Sequence, residues 1–153
     1  MRSEITKRVE FDAGHRIPSH GSKCRHFHGH RWVLEVTVSG EVRPVTGASD
    51  DGMVLDFGCV KKMMVELIHD RFDHAFIVYQ GDDIALAALA CLGSEHHTEV
   101  VPVVPTSENL AAFFFEILEQ HIAANYPTIQ LDKVALYETP NSRAEAKRSA
   151  FNT

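Results

Sequence analysis

Several things are scarce in this chain of 153 residues. It has only three cysteines, Cys24, Cys59 and Cys91, odd in number and far apart. That pattern gives no disulfide framework, so a reducing, cytoplasmic setting is expected. Basic residues are outnumbered, 15 Lys and Arg against 21 Asp and Glu, for a formal charge of -6. Such a balance excludes a nucleic-acid module, whose phosphate contacts need a basic face. No apolar run approaches membrane-spanning length, and the start Met1-Arg2-Ser3-Glu4 lacks the apolar stretch of a signal peptide. Low-complexity segments and internal repeats are also missing. With 44% hydrophobic and 24% charged residues, the chain is long enough to bury a real core. One domain over residues 1–153 is expected.

Histidine, by contrast, is abundant. Ten are present, and five of them, His15, His20, His26, His28 and His30, fall within sixteen positions. From Ile5 to His15 the odd positions carry Ile5, Val9, Phe11 and Ala13, while Thr6, Arg8, Glu10 and Asp12 fall between them. This alternation predicts a half-buried strand with His15 on its apolar face. Residues 16–27, with Pro18 and Gly21, read as a loop. A second strand follows, and its pleat puts His28 and His30 on the face of Trp32 and Leu34 unless Gly29 introduces a bulge.

Histidines at i and i+2 of one strand, with a third on the neighbouring strand, can close on a single metal ion. Three neutral imidazoles leave an open position on zinc, the arrangement of catalytic sites. His20 and His26 remain alternative ligands. Cys24 stands beside the cluster between Lys23 and Arg25, whose charges favour a thiolate able to act as base or nucleophile. Cys59 and Cys91 fall in helical stretches and read as inert.

Downstream, the turn-rich stretch 40–53 is expected to join hairpin strands before Val54-Leu55. Asp56 then caps a helix with the apolar stripe Phe57, Val60, Met63, Met64, Leu67 and Ile68. Residues 71–77 leave that helix and carry Asp73-His74, which can pair as a carboxylate orienting an imidazole or simply end the helix. Residues 82–92 have helical composition, and 100–104 look extended. A second long helix starts near Ser107-Glu108 and buries Leu110, Phe113, Phe114, Ile117, Leu118 and Ile122. Pro105-Thr106-Ser107-Glu108-Asn109 reads as its start, with a hydroxyl cap and free amides that can also meet a ligand.

Residues 129–138 predict a strand whose apolar stripe ends in Glu138. A carboxylate there needs a partner. Either a guanidine-like NH–NH₂ edge of a ligand or a tail cation such as Arg143 can supply it. The tail 141–151 has helical propensity but is expected to pair as a strand. Together these elements predict an α+β layer, an antiparallel four-stranded sheet with two helices on one face.

Phe11-X-X-X-His15, Cys24-X-X-X-His28-Gly29-His30, Leu55-Asp56-Phe57, Phe72-Asp73-His74, Pro105-Thr106-Ser107-Glu108-Asn109 and Tyr137-Glu138-Thr139 occur in this order. This set resembles the 6-pyruvoyltetrahydropterin synthase superfamily over nearly the whole chain. The cysteine spacing is similar to its bacterial branch, the QueD-like 6-carboxytetrahydropterin synthases of queuosine and 7-deazaguanine synthesis. The resemblance implies a tunnelling fold (T-fold) assembled as a homo-hexamer, a dimer of trimers, with active sites at subunit interfaces. It implies zinc on His15, His28 and His30, Cys24 as proton-abstracting thiolate, and Asp73 with His74 as an acid/base relay from a neighbouring subunit. Glu138 then anchors the pterin's amino-pyrimidine edge, helped by Thr106, Ser107 and Glu108.

The implied reaction converts 7,8-dihydroneopterin triphosphate to 6-carboxy-5,6,7,8-tetrahydropterin with loss of acetaldehyde and triphosphate. The alternatives are triphosphate elimination to 6-pyruvoyltetrahydropterin, cleavage of a related pterin such as sepiapterin, or a non-catalytic zinc- or pterin-binding subunit. Residues 78–104 exceed the compact bacterial members and are expected to be an insertion.

Overall fold

In the computed structural model, which describes residues 1–148, two long strands form the spine: β1 (Arg2–His15) and β2 (His28–Glu41). They pair antiparallel in continuous register from Arg2↔Glu41 to His15↔His28. Gly29 sits opposite Gly14 with no bulge, so the two-residue period runs unbroken into the histidines. Phe11, Ala13 and His15 of β1 are buried, as are Trp32, Leu34, Val36 and Val38 of β2.

The sheet has six strands in the order β4-β3-β1-β2-β5-β6, adding β3 (Ala75–Tyr79), β4 (Thr98–Val101), β5 (Gln130–Thr139) and β6 (Ser142–Lys147). The expected antiparallel four are therefore β1, β2, β5 and β6. The sheet is mixed because β3 pairs parallel with β1, and β4 parallel with β3. The short run Ala75-Phe76-Ile77-Val78-Tyr79 escapes the sequence pattern because both its faces are apolar, which leaves no alternation to detect. Helix α3 (Asp83–Ala90) makes the crossover between β3 and β4 that parallel pairing requires.

The sequence expects strands to close before Val54-Leu55, but none forms there. Residues 42–56 lead from β2 to α1 (Phe57–Met64), and Val54 and Leu55 are buried without strand pairing. Asp56 caps α1 by accepting the Gly58 amide at 2.5 Å. The helix widens into a π turn (Val65–His69) and ends in α2 (Asp70–Phe72). Val60, Met63, Met64, Ile68 and Phe72 face inward, whereas Phe57 is 52% exposed because the first helical residue has no turn above it. The extra residue of the π turn shifts the helical phase and brings Phe72 into the core.

Helix α4 (Ser107–Asn125) buries Leu110, Ala111, Phe114, Phe115, Leu118 and Ile122, with Phe113 and Ile117 half-buried. α1 and α4 cover one face of the sheet, and Phe11, Trp32, Phe72 and Phe114 fill the space between. Each such aromatic, fully buried, contributes about 1.5–3 kcal/mol. β5 carries a bulge: Val134 pairs with Val36 but Leu131 with Val38, which skips Asp132. The tail forms β6 rather than a helix, and residues 149–151 of the expected tail lie outside the described residues. No helix among the described residues is long and apolar enough to cross a membrane.

Candidate active site

The unbroken β1–β2 register places His28 directly opposite His15, and His30 two residues along on the same face. One ligand atom from each of the three lies within 4.8 Å of the others, so the cluster can hold a metal ion. His15 is 1% exposed. Its Nδ1 lies 2.7 Å from the Pro105 carbonyl, and His28 Nδ1 lies 2.7 Å from the His26 carbonyl. A carbonyl only accepts, so both rings carry their proton on Nδ1 and offer the Nε2 lone pair. Outer-shell carbonyls fix the tautomer of metal-binding histidines in this way.

The Nε2 atoms of His15 and His30 are buried without a hydrogen-bond partner. Orphaned buried nitrogens are costly unless something accepts their lone pairs, and a cation among three imidazoles does so. Burial pushes the His15 pKa down to about 4 even though its bond to Pro105 raises it, and the neighbouring His28 and His30 push it lower. Burial also lowers the pKa of His30, against the raising effect of Glu138. Both rings are therefore neutral near pH 7, as metal ligation demands. His20 and His26 stand outside the cluster: both are exposed, and His20 Nδ1 accepts the Ser22 amide at 2.9 Å.

Cys24 lies in a single 3-10 turn (Lys23–Arg25) in the loop between β1 and β2. It is half-buried and lines a cleft of about 280 Å³ with His15, Thr106, Ser107, Glu108 and Glu138. Arg25 reaches the Gly21 carbonyl at 3.4 Å rather than the sulfur. Glu138 ends the inward stripe of β5. It accepts the Ser107 hydroxyl at 3.0 Å through Oε2, while Oε1 lies 3.3 Å from His30 Nε2 without hydrogen-bond alignment. Arg143 lines the same cleft but pairs with Glu145 at 2.9 Å and donates to the Tyr137 hydroxyl, and it makes no ion pair with Glu138. Thr106 Oγ1 caps α4 by accepting the Asn109 amide at 3.2 Å.

Asp73 and His74 are adjacent to each other but do not line this cleft. His74 Nδ1 donates to Asp73 Oδ2 at 2.8 Å, and Asp73 Oδ1 accepts the Asp12 amide at 2.9 Å. His74 has φ of 60°, a left-handed conformation that costs a non-glycine residue energy. Its amide is anchored on the Asp12 carbonyl at 2.6 Å. Burial raises the Asp73 pKa, but the Asp12 amide and the His74 and His69 imidazoles outweigh it and hold the carboxyl below its usual range. The imidazole of His74, in a side chain 78% exposed, lines a second open depression with Asp12, Gly29, Arg31 and His30, a member of the histidine cluster.

The 6-pyruvoyl tetrahydropterin synthase family model matches residues 4–149. The chain belongs to that family. Among its relatives are the 6-carboxy-5,6,7,8-tetrahydropterin synthases of Rickettsia bellii and Rickettsia conorii. They are 34% identical over 143 residues and 36% over 145, each match covering 93% of this chain and 98% of the relative. The solved 6-pyruvoyl tetrahydropterin synthase of Caenorhabditis elegans is 28% identical and covers 97% of both chains with a TM-score of 0.68.

This member of the 6-pyruvoyl tetrahydropterin synthase family also uses residues that the sequence pattern does not single out. Trp32 forms the floor of the histidine cluster, its ring 4.9 Å from that of His15 and 5.5 Å from that of His30. Its Nε1–H donates to the Ala13 carbonyl at 3.1 Å, which keeps the indole still. The strand parity that aligns Trp32 with His30 was the available signal. Pro105 acts through its carbonyl, which no side-chain pattern reveals. His69, one helical turn before Asp73, comes within 4.0 Å of that carboxylate.

Proposed function

We propose that the protein is a zinc-dependent 6-carboxytetrahydropterin synthase. It converts 7,8-dihydroneopterin triphosphate to 6-carboxy-5,6,7,8-tetrahydropterin, acetaldehyde and triphosphate. The setting is queuosine and 7-deazaguanine synthesis in the cytoplasm. The observation that carries this reading is one cleft lined by His15 of a three-imidazole cluster, a half-buried thiol and a carboxylate, Glu138, that no guanidinium among the described residues pairs with. The names of the Rickettsia relatives, which cover nearly the whole chain, supply the reaction.

His15, His28 and His30 hold the metal. When bound, zinc supplies a Lewis acid that lowers the pKa of the substrate's side-chain hydroxyls. Glu138 accepts two charge-assisted hydrogen bonds from the amino-pyrimidine edge, which orients the ring. The Ser107 hydroxyl fixes that carboxylate, and Thr106 and Glu108 line the ring's path. Cys24, as thiolate, takes a proton from the side-chain carbon beside C6. His74, held in one tautomer by Asp73, offers Nε2 for the second proton transfer. His74 and Cys24 line different depressions, which supports a relay that serves the site of a neighbouring subunit in a homo-hexamer.

The C. elegans relative favours a second reading, triphosphate elimination to 6-pyruvoyltetrahydropterin, which leaves the three-carbon side chain intact. Cys24→Ala tests the shared chemistry. Its kcat with dihydroneopterin triphosphate is expected to fall by roughly 10²-fold or more, with zinc content unchanged. Wild-type turnover by that variant, or no turnover by the zinc-loaded wild type, contradicts the enzymatic reading.

A further inference from the structure

Arg16 follows His15 in the chain and has no role in the steps above. Its guanidinium meets Asp82, which precedes α3: Nε donates to Oδ2 and Nη2 to Oδ1, each at 2.6 Å. This bidentate geometry is one that lysine cannot reproduce. The Asp82 side chain is 3% exposed, and its Oδ1 also accepts the Ala85 amide at 3.1 Å. The carboxylate is thus fixed from both sides. A pair this dry is a poor source of stability, since apolar packing of the same volume often does as well.

Its surroundings point to another role. Arg16 Nη1 donates to the Arg25 carbonyl at 3.4 Å, and the Ile17 amide donates to the Cys24 carbonyl at 2.9 Å. The guanidinium lies 5.9 Å from the centre of the Phe27 ring, which packs at a tilt, ring centres 4.5 Å apart, against Phe76 of β3. Gly14 leaves room for that ring, since a Cβ there would come within 2.6 Å of it. Cys24, Arg25 and Phe27 are all gripped by Arg16 and Ile17, and Arg16 is gripped by Asp82.

We propose that Arg16 and Asp82 are positioning residues that hold the Cys24 turn in the cleft. The segment between β3 and β4 thereby sets where the thiol sits. The inference rests on the reading of Cys24 as the proton-abstracting thiol.

The test compares full-length, zinc-loaded wild type with Arg16→Lys and Asp82→Asn. It measures kcat and KM with dihydroneopterin triphosphate, zinc content, and the iodoacetamide alkylation rate of each cysteine resolved by peptide mass. Misplacing a reacting group by about 1 Å costs about 100-fold, so kcat is expected to fall at least roughly tenfold, with KM and zinc little changed. Freeing the turn exposes the half-buried sulfur, so Cys24 alkylation is expected to accelerate severalfold. Cys59, half-buried on α1, stays slow in a folded protein and reports any global unfolding.

Leu89→Ala weakens the small cluster of Val78, Ala85 and Leu89 without touching Arg16, and is expected to leave kcat and Cys24 alkylation at wild-type values. Unchanged kcat and Cys24 alkylation in Arg16→Lys and Asp82→Asn overturn the proposal, as does Leu89→Ala reproducing both changes. Full turnover by Cys24→Ala overturns the catalytic reading instead, and the alkylation rates still report the positioning.

Discussion

His15 and His28 commit their Nδ1 protons to the carbonyls of Pro105 and His26, and that commitment leaves both Nε2 lone pairs able to meet a metal ion. It also has a consequence for the metal-free protein. His15 has a folded pKa of about 4 against 6.5 when unfolded, because burial disfavours its charged form. Between those two values the unfolded chain binds a proton that the folded chain refuses. Stability present above pH 6.5 is therefore lost as the pH falls toward 4, and His30, shifted the same way, adds to the loss. Urea midpoints of the chelated protein are expected to fall between pH 7 and 5, and less steeply in His15→Gln. Equal slopes for the two proteins contradict this assignment.

At the level of elements, the pairing of Gly14 with Gly29 keeps β1 and β2 in register beside the histidines while Phe76 packs over Gly14. A methyl at Gly14 meets the Phe76 ring at 2.6 Å and the His28 carbonyl at 3.2 Å. Gly14→Ala is expected to destabilise the fold by about 1–3 kcal/mol through overpacking, read as a lower urea midpoint. A midpoint unchanged or raised contradicts it.

The same elements mark how far the sequence could be read. The histidine face was legible because a two-residue period carries parity from Phe11 to His15 and from Leu34 back to His28. The helix caps at Asp56 and Thr106 and the inward stripe of α4 were legible for the same local reason. β3 was not, and the extended reading of 100–104 caught only the end of β4 (Thr98–Val101), since parallel pairing of short apolar runs leaves no period and is decided by distant partners. The bulge at Asp132 and the exposure of Phe57 depend on register and helix phase. His74's left-handed backbone depends on an anchor at Asp12, 62 residues away in sequence.

On the scale of the whole molecule, one chain brings His15, the thiol and Glu138 to one cleft, while His74 lines another depression that also reaches His30. If neighbouring subunits complete each other's sites, Cys24→Ala and His74→Ala chains are each inactive alone. Mixed assemblies of the two are then expected to regain partial activity, because some sites combine an intact thiol with an intact imidazole. Mixed assemblies as inactive as either parent contradict the shared site.

The central claim, carbon–carbon cleavage of a pterin side chain, is tested most directly by the products. Zinc-loaded protein is incubated with 7,8-dihydroneopterin triphosphate and the mixture is resolved by mass spectrometry. Acetaldehyde and 6-carboxy-5,6,7,8-tetrahydropterin, formed in equal amounts, are the predicted result. A product that keeps its three-carbon side chain contradicts the account.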